Sequence, residues 1–262
     1  MGYFKEWLSK VGSNQQSLLP ITHISKGFSA RKIIDSGLIA PVECPVFKED
    51  LVYAFYGRVA YRVAGGGPLK LEGVCPFCFV FDGELVKRSK HVHPFDTGAY
   101  AKRLYKHVFD DQLEISDFEI SGDPQLPNAL VHRIFGGAEN YLVGNLSEVP
   151  SADDLCAPSE MEVRAYHELI SSLGRNEPDD RVYSIEITFS DALLLSEHLK
   201  AVIVPHTFWT TEHPAEWLTG LHNDGVEIAT YEFHPGRSAD YYHAHLESQL
   251  RDLFRNWGFF SE

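Results

Sequence analysis

The chain has 262 residues, 44% of them hydrophobic, and a formal net charge of −14. That is enough apolar side chain for a sizeable core, which excludes disorder through most of the chain. The negative field disfavours nucleic-acid and membrane-surface binding outside a local basic patch such as Lys87, Arg88 and Lys90. No apolar run reaches the roughly 18 residues of a membrane span. Lys5, Glu6 and Lys10 interrupt the N-terminal apolar residues where a signal peptide would have its core. Four cysteines (Cys44, Cys75, Cys78 and Cys156) do not make a disulfide scaffold in a chain this long. These features predict a cytoplasmic protein.

Phe4, Trp7, Leu8 and Val11 fall at helical spacing before Gly12. Residues 13–17 read as a polar loop, and Leu18 to Ile24 as a short strand that contains His23. Ser29 is placed to cap a helix ending at Gly37, where a left-handed residue suits glycine. Leu51 to Val63 is aromatic and β-branched, so a strand is predicted up to the break at Gly65-Gly66-Gly67-Pro68. Cys78 to Phe81 reads as a buried strand. Asp96 or Thr97 caps a predicted helix whose face carries Tyr100, Ala101, Leu104, Tyr105 and Val108.

Residues 121–128 and 147–158 read as loops. Ser159 and Glu162 have the spacing of a capping box, opening a helix to about Leu173. Val182 to Phe189 alternates, with Ile185, Ile187 and Phe189 on one face and Ser184, Glu186 and Thr188 on the other. A strand at Ala201 to Val204, a helix from Pro214 and an alternating strand at Val226 to Phe233 follow. An amphipathic helix from Ser238 carries Tyr242, Leu246, Leu250, Leu253 and Trp257. Strand–helix–strand periodicity is not sustained, so the fold class is α+β, with one or two small mixed or antiparallel sheets among helices. Residues 1–262 read as a single domain, and 147–158 is the best place for a subdivision.

Cys75-Pro-Phe-Cys78 with His91 and His93 has ligand types that suit zinc, which would make a zinc-stabilised interaction domain. The His-x-His half is too short for a zinc finger, and Phe79 to Phe81 make Cys78 look like a strand residue of the core. No G-x-S-x-G elbow, Walker loop or G-x-G-x-x-G turn is present. His243 and His245 are two residues apart on a predicted helix and so point to different faces.

A longer-range order is more coherent: Ile21-Thr-His23-Ile-Ser25, then Phe55-Tyr56-Gly-Arg58-Val-Ala-Tyr61, then the Glu186 strand followed by strand, helix and strand. This order resembles the ADP-ribosyltransferases of the His–Tyr–Glu class, in particular the DarT-like DNA ADP-ribosyltransferase toxins. The resemblance covers about two thirds of the chain as an order of elements, and only the His23 strand and Phe55 to Arg58 residue by residue. It implies NAD as substrate, a macromolecular acceptor of protein or nucleic acid, and a role as toxin or phage-defence effector. It implies that His23 bonds the nicotinamide-side ribose, Tyr56 or Tyr61 stacks on nicotinamide, and Arg58 meets the pyrophosphate. A glutamate would hold the ribose and steady the positive charge that develops on it. Glu186 has the strand position for this role. Glu160, Glu162 and Glu168 are the alternatives, with Glu162 also read as a cap and Glu160 as a first-turn anion. The segment His91 to Gly98, crowded with polar and turn-forming residues and including His93, is expected to line the same cleft.

The rival expectation is a non-catalytic binding protein on a related fold, in which Glu186 faces solvent and Arg58 pairs with a carboxylate. Tyr241, Tyr242, Phe254 and Trp257 on the last helix are candidates for a homo-oligomer or partner interface.

Overall fold

The computed structural model describes residues 2–10, 17–60, 67–172 and 181–260. The fold is α+β. The helices are α1 (Tyr3–Ser9), α2 (Gly27–Ser36), α3 (Thr97–Ala101), α4 (Leu126–Phe135), α5 (Ala138–Val143), α6 (Ala152–Leu155), α7 (Met161–Ser171), α8 (Leu195–His198), α9 (Glu216–Asn223) and α10 (Ala239–Asn256). The strands are β1 (Ile21–Lys26), β2 (Leu38–Ile39), β3 (Val42–Glu43), β4 (Asp50–Tyr56), β5 (Pro76–Phe81), β6 (His91–His93), β7 (Glu186–Phe189), β8 (Leu193–Leu194), β9 (Leu199–Pro205) and β10 (Glu227–Tyr231).

Instead of small sheets, one large sheet runs β10-β9-β5-β1-β4-β7-β6, with β3 beside β4; β2 and β8 form a separate pair. Its ladders are antiparallel except β9–β10, which are parallel and joined through α9. Strands from both sides of 147–158 pair within this sheet.

The centre of the sheet follows from composition. β5 reads Pro-Phe-Cys-Phe-Val-Phe and is buried along its whole length, so it takes a middle position covered on both faces. Phe77, Phe79 and Phe81 join the larger core, which also holds Phe4, Tyr166, Ile187 and residues of α4. Cys78 and Val80 point the other way, into a second core with Tyr242, Leu246, Leu250 and Leu253. That spacing is the apolar stripe of α10, which packs on β5, β9 and β10.

Several local expectations are corrected. The β4 strand stops at Tyr56 rather than Val63, because Gly57 turns the chain with φ +63° and a Cβ there would lie 2.7 Å from Leu19 Cδ1. Helix α2 begins at Gly27 directly from β1, with the Gly27 amide held by Cys75 O at 3.0 Å, so Ser29 is no cap. The helix after Asp96 is one turn long, and Arg103, at φ +56°, lies just past its end. The capping box is not formed: Glu160 is the N-cap of α7, and its carboxylate accepts from Ala157 N at 2.9 Å. Helix α4 begins within the expected loop 121–128 and α6 lies within the expected loop 147–158, and α5 occupies residues for which no element is expected.

Of the aromatics expected at an interface on α10, Tyr241 and Trp257 are partly exposed. Tyr242 and Phe254 are wholly buried in their own chain's core. No helix among the described residues is long and apolar enough to cross a membrane.

Candidate active site

Cross-strand register decides which side chains share a face, because directly opposed residues point the same way. One such row crosses five strands: Val80 on β5, Thr22 on β1, Phe55 on β4, Glu186 on β7 and His93 on β6. The next row places Tyr53, Thr188 and His91 side by side. Both rows lie on the face that α10 covers at the β5–β9–β10 end. At the β4–β7–β6 end, loops are packed against the same face.

Glu186 is 2% exposed, not solvent-facing. Its Oε1 accepts from Thr97 Oγ1 at 2.6 Å and its Oε2 from Thr97 N at 3.2 Å. Burial, reinforced by the nearby Asp96, raises its pKa to about 8 against the pull of the two Thr97 bonds and of Arg181. Asp96 caps α3 through Ala99 N and receives Arg181 Nη1 at 2.7 Å. Two carboxyls in one niche thus differ in role: Asp96 is ion-paired with Arg181, and Glu186 holds its proton at neutral pH.

His93 is 1% exposed, and neither ring nitrogen finds a partner among the described residues; the same holds for the buried Thr188 hydroxyl. Burial lowers the His93 pKa to about 4, with Glu119 pulling the other way. Phe47 lies against this imidazole, ring centroids 5.6 Å apart. The loop carrying Phe47 also brings Cys44, whose sulfur sits 2.5 Å from the Tyr53 hydroxyl. At neutral pH the niche therefore offers an imidazole, a carboxylic acid and hydroxyls, all uncharged, under a loop. Cys44, Tyr53 and Arg181 were not read from the sequence as parts of the site, whereas Asp96 and Thr97 belong to the His91–Gly98 segment expected to line the cleft. Asp96 carried a signal, as a cap three residues beyond His93.

The other expected site residues lie elsewhere. His23 is paired with Phe79, on the opposite face from Glu186, and its Nδ1–H donates to Tyr53 O at 2.7 Å. Burial lowers its pKa, opposed by that bond. Arg58 is 1% exposed; its Nη1 donates to Tyr141 O at 2.9 Å, and its guanidinium carbon lies 4.4 Å from the centroid of the Tyr183 ring. It is neither open to a pyrophosphate nor a surface ion-pair partner. The Tyr56 hydroxyl accepts from Leu19 N at 2.9 Å and donates to Asn128 at 2.8 Å, deep in the larger core. It has no free face for a ligand ring. Tyr61 lies outside the described residues. Glu160 is tied to its own turn, Glu162 is buried on α7 and Glu168 is exposed there. Of the expected set, the register brings together Glu186 and His93.

A shared zinc is ruled out by position. Cys78 is on β5 and His91 and His93 on β6, four strand spacings away, or about 19 Å at the usual interstrand distance.

No protein-family model matches the chain, and no curated protein matches it in sequence.

Proposed function

We propose that the chain is an enzyme whose catalytic group is Glu186, and that the reaction is ADP-ribosyl transfer from NAD to a macromolecular acceptor. The observation that carries the proposal is the niche itself: a fully buried carboxyl beside a fully buried histidine with two unpartnered nitrogens. Burying such groups without partners costs roughly 1–3 kcal/mol each, and titratable groups perturbed in this way concentrate at functional sites.

The chemistry sets a condition on Glu186. In cleavage of NAD the bond from ribose C1′ to the nicotinamide nitrogen breaks, and the electron pair leaves with the nitrogen. Positive charge develops on the sugar, and the acceptor closes a bond to C1′. A carboxylate favours that charge; a neutral acid does not. A cationic nicotinamide ring seated beside Glu186 would lower its pKa and expel the proton, so binding supplies the active form. The half-buried rings of Phe55, directly opposite Glu186, and of Tyr53 share its face, and the half-buried Phe47 lies against His93.

The places of His23, Arg58 and Tyr56 favour a second reading, a binding protein without turnover. Calorimetry and nicotinamide release, with wild type and Glu186→Gln side by side, separate the two. Saturable binding with release that the substitution abolishes supports the transferase. Binding without release supports the second reading. No binding at millimolar NAD removes NAD from both.

A further inference from the structure

His91 stands between two carboxylates. Its Nδ1 lies 2.8 Å from Glu119 Oε1 and its Nε2 lies 2.9 Å from Glu49 Oε1. Carboxylates only accept, and a neutral imidazole has one N–H, so only the imidazolium satisfies both contacts. Phe47 stacks on the same ring, 4.6 Å between centroids and 8° from parallel, an arrangement that a charged ring strengthens.

The two carboxylates belong to different parts of the chain. Glu119 follows the turn at Ile115–Phe118 and is fixed by Ser121 Oγ at 2.8 Å. Glu49 belongs to the loop between β3 and β4. That loop carries Phe47 over His93 and Cys44 over Tyr53, and its Lys48 sits at φ +60°. The loop thus roofs the Glu186 face, and His91 is its clasp to the body of the protein.

We propose that this loop is a lid over the Glu186–His93 niche and that loss of the His91 proton releases it. The charged and titratable groups that face His91 are Glu49 from the loop, Glu119 from the 115–121 segment, Lys90 just before its strand and His93 within it. Glu119, the nearer carboxylate at 2.8 Å and anchored by Ser121 Oγ, keeps the remaining N–H once the ring is neutral. The Nε2 lone pair then faces Glu49, and attraction on the lid side becomes repulsion. Lys90 also pairs with Glu49, through the other carboxylate oxygen, so loss of the His91 charge removes one of the two ties that hold Glu49 to this strand end. Both carboxylates raise the His91 pKa above its ordinary value, so the clasp is complete below about pH 6.5 and is lost as pH rises through the folded value.

The proposal shares the niche with the function proposed above, but its test needs no substrate. Cys44 is buried on the underside of the lid, against Tyr53, and Cys75, Cys78 and Cys156 are buried elsewhere. Iodoacetamide labelling of the full chain, followed peptide by peptide with mass spectrometry, reports lid opening at Cys44. A clasp of this kind is worth roughly tenfold in the opening equilibrium after allowance for partial solvent screening. His91→Ala should label Cys44 roughly tenfold faster than wild type at pH 6, with the ratio falling towards one by pH 9. His91→Gln, which cannot carry the charge and leaves the Lys90–Glu49 pair in place, should behave alike and serves if His91→Ala does not fold. A ratio that is the same at both pH values, or no acceleration in either variant, overturns the proposal. The pH-dependent ratio in a protein that does not turn over NAD would leave the lid standing and remove the transferase.

Discussion

Replacing Glu186 with Gln should stabilise the protein and silence it. The carboxyl keeps its proton to about pH 8 in the folded chain, whereas the ordinary value is 4.5. Between those values the folded state binds one more proton than the unfolded state, so this group's contribution to stability falls as pH rises. At about 1.36 kcal/mol per pH unit the penalty is roughly 3 kcal/mol at pH 7 and approaches 5 kcal/mol above pH 8. It vanishes below pH 4.5. Glutamine carries no such penalty and has the same shape: its carbonyl accepts from Thr97 N, and its amide can donate to Thr97 Oγ1. Urea unfolding of both proteins from pH 4.5 to 8.5 measures the difference directly. The variant should gain over wild type steadily as pH rises, while nicotinamide release is lost. A stability difference that stays flat across this range would refute the assignment of a neutral buried acid, and with it the argument that Glu186 is held at a cost for function.

Other substitutions probe the frame around it. Tyr141 donates its hydroxyl to Tyr56 O at 2.8 Å and receives Ile185 N at 3.0 Å, next to Glu186. Tyr141→Phe should cost about 1–3 kcal/mol by leaving a buried amide unpaired, seen as a lower thermal midpoint. Arg58→Ala should cost roughly 2–4 kcal/mol through the cavity and the lost bond to Tyr141 O. An Arg58→Ala protein of unchanged stability that has lost NAD affinity would restore the pyrophosphate role. His23→Ala should leave the calorimetric affinity for NAD as it is, since the ring lies on the far face. A tenfold loss would show that the two faces communicate. For the transferase, kcat/KM should climb with pH towards about 8, as free Glu186 ionises, and a flat profile from pH 6 to 9 would count against it.

Much of the architecture was legible because it is local. The alternation at Val182 to Phe189 put Glu186 and Thr188 together on one face, and Gly37 and Asp96 marked a helix end and a helix start. Helices α4 and α5 were not legible: the run Leu126–Phe135 is buried at most positions and so lacks a clear polar stripe. The site was half legible. Alternation gives the face of a residue relative to its own strand, not relative to other strands. Whether His23 joins Glu186 depends on β1 meeting β5 and β4 in one register out of two, and a slip of one residue exchanges the faces. The burial of Glu186 was invisible for a similar reason. Thr97 bonds it from 89 residues earlier in the chain, and Phe47 and Cys44 cover its neighbours His93 and Tyr53, contacts that arise only through long-range folding. Arg58 misled because an arginine after an aromatic run suits an anion site and a core cation equally.

The order of the strands also bears on how the chain is made. β5 and β4, both complete by residue 81, have partners in β9 and β7 that begin only at residues 199 and 186. A ribosome that has delivered the first half has produced the three middle strands with their apolar flanks unmatched on either side. Such an intermediate invites pairing with a neighbouring nascent chain. Productive folding therefore waits for the second half of synthesis, and the late strands act as the closing members that retire both open edges.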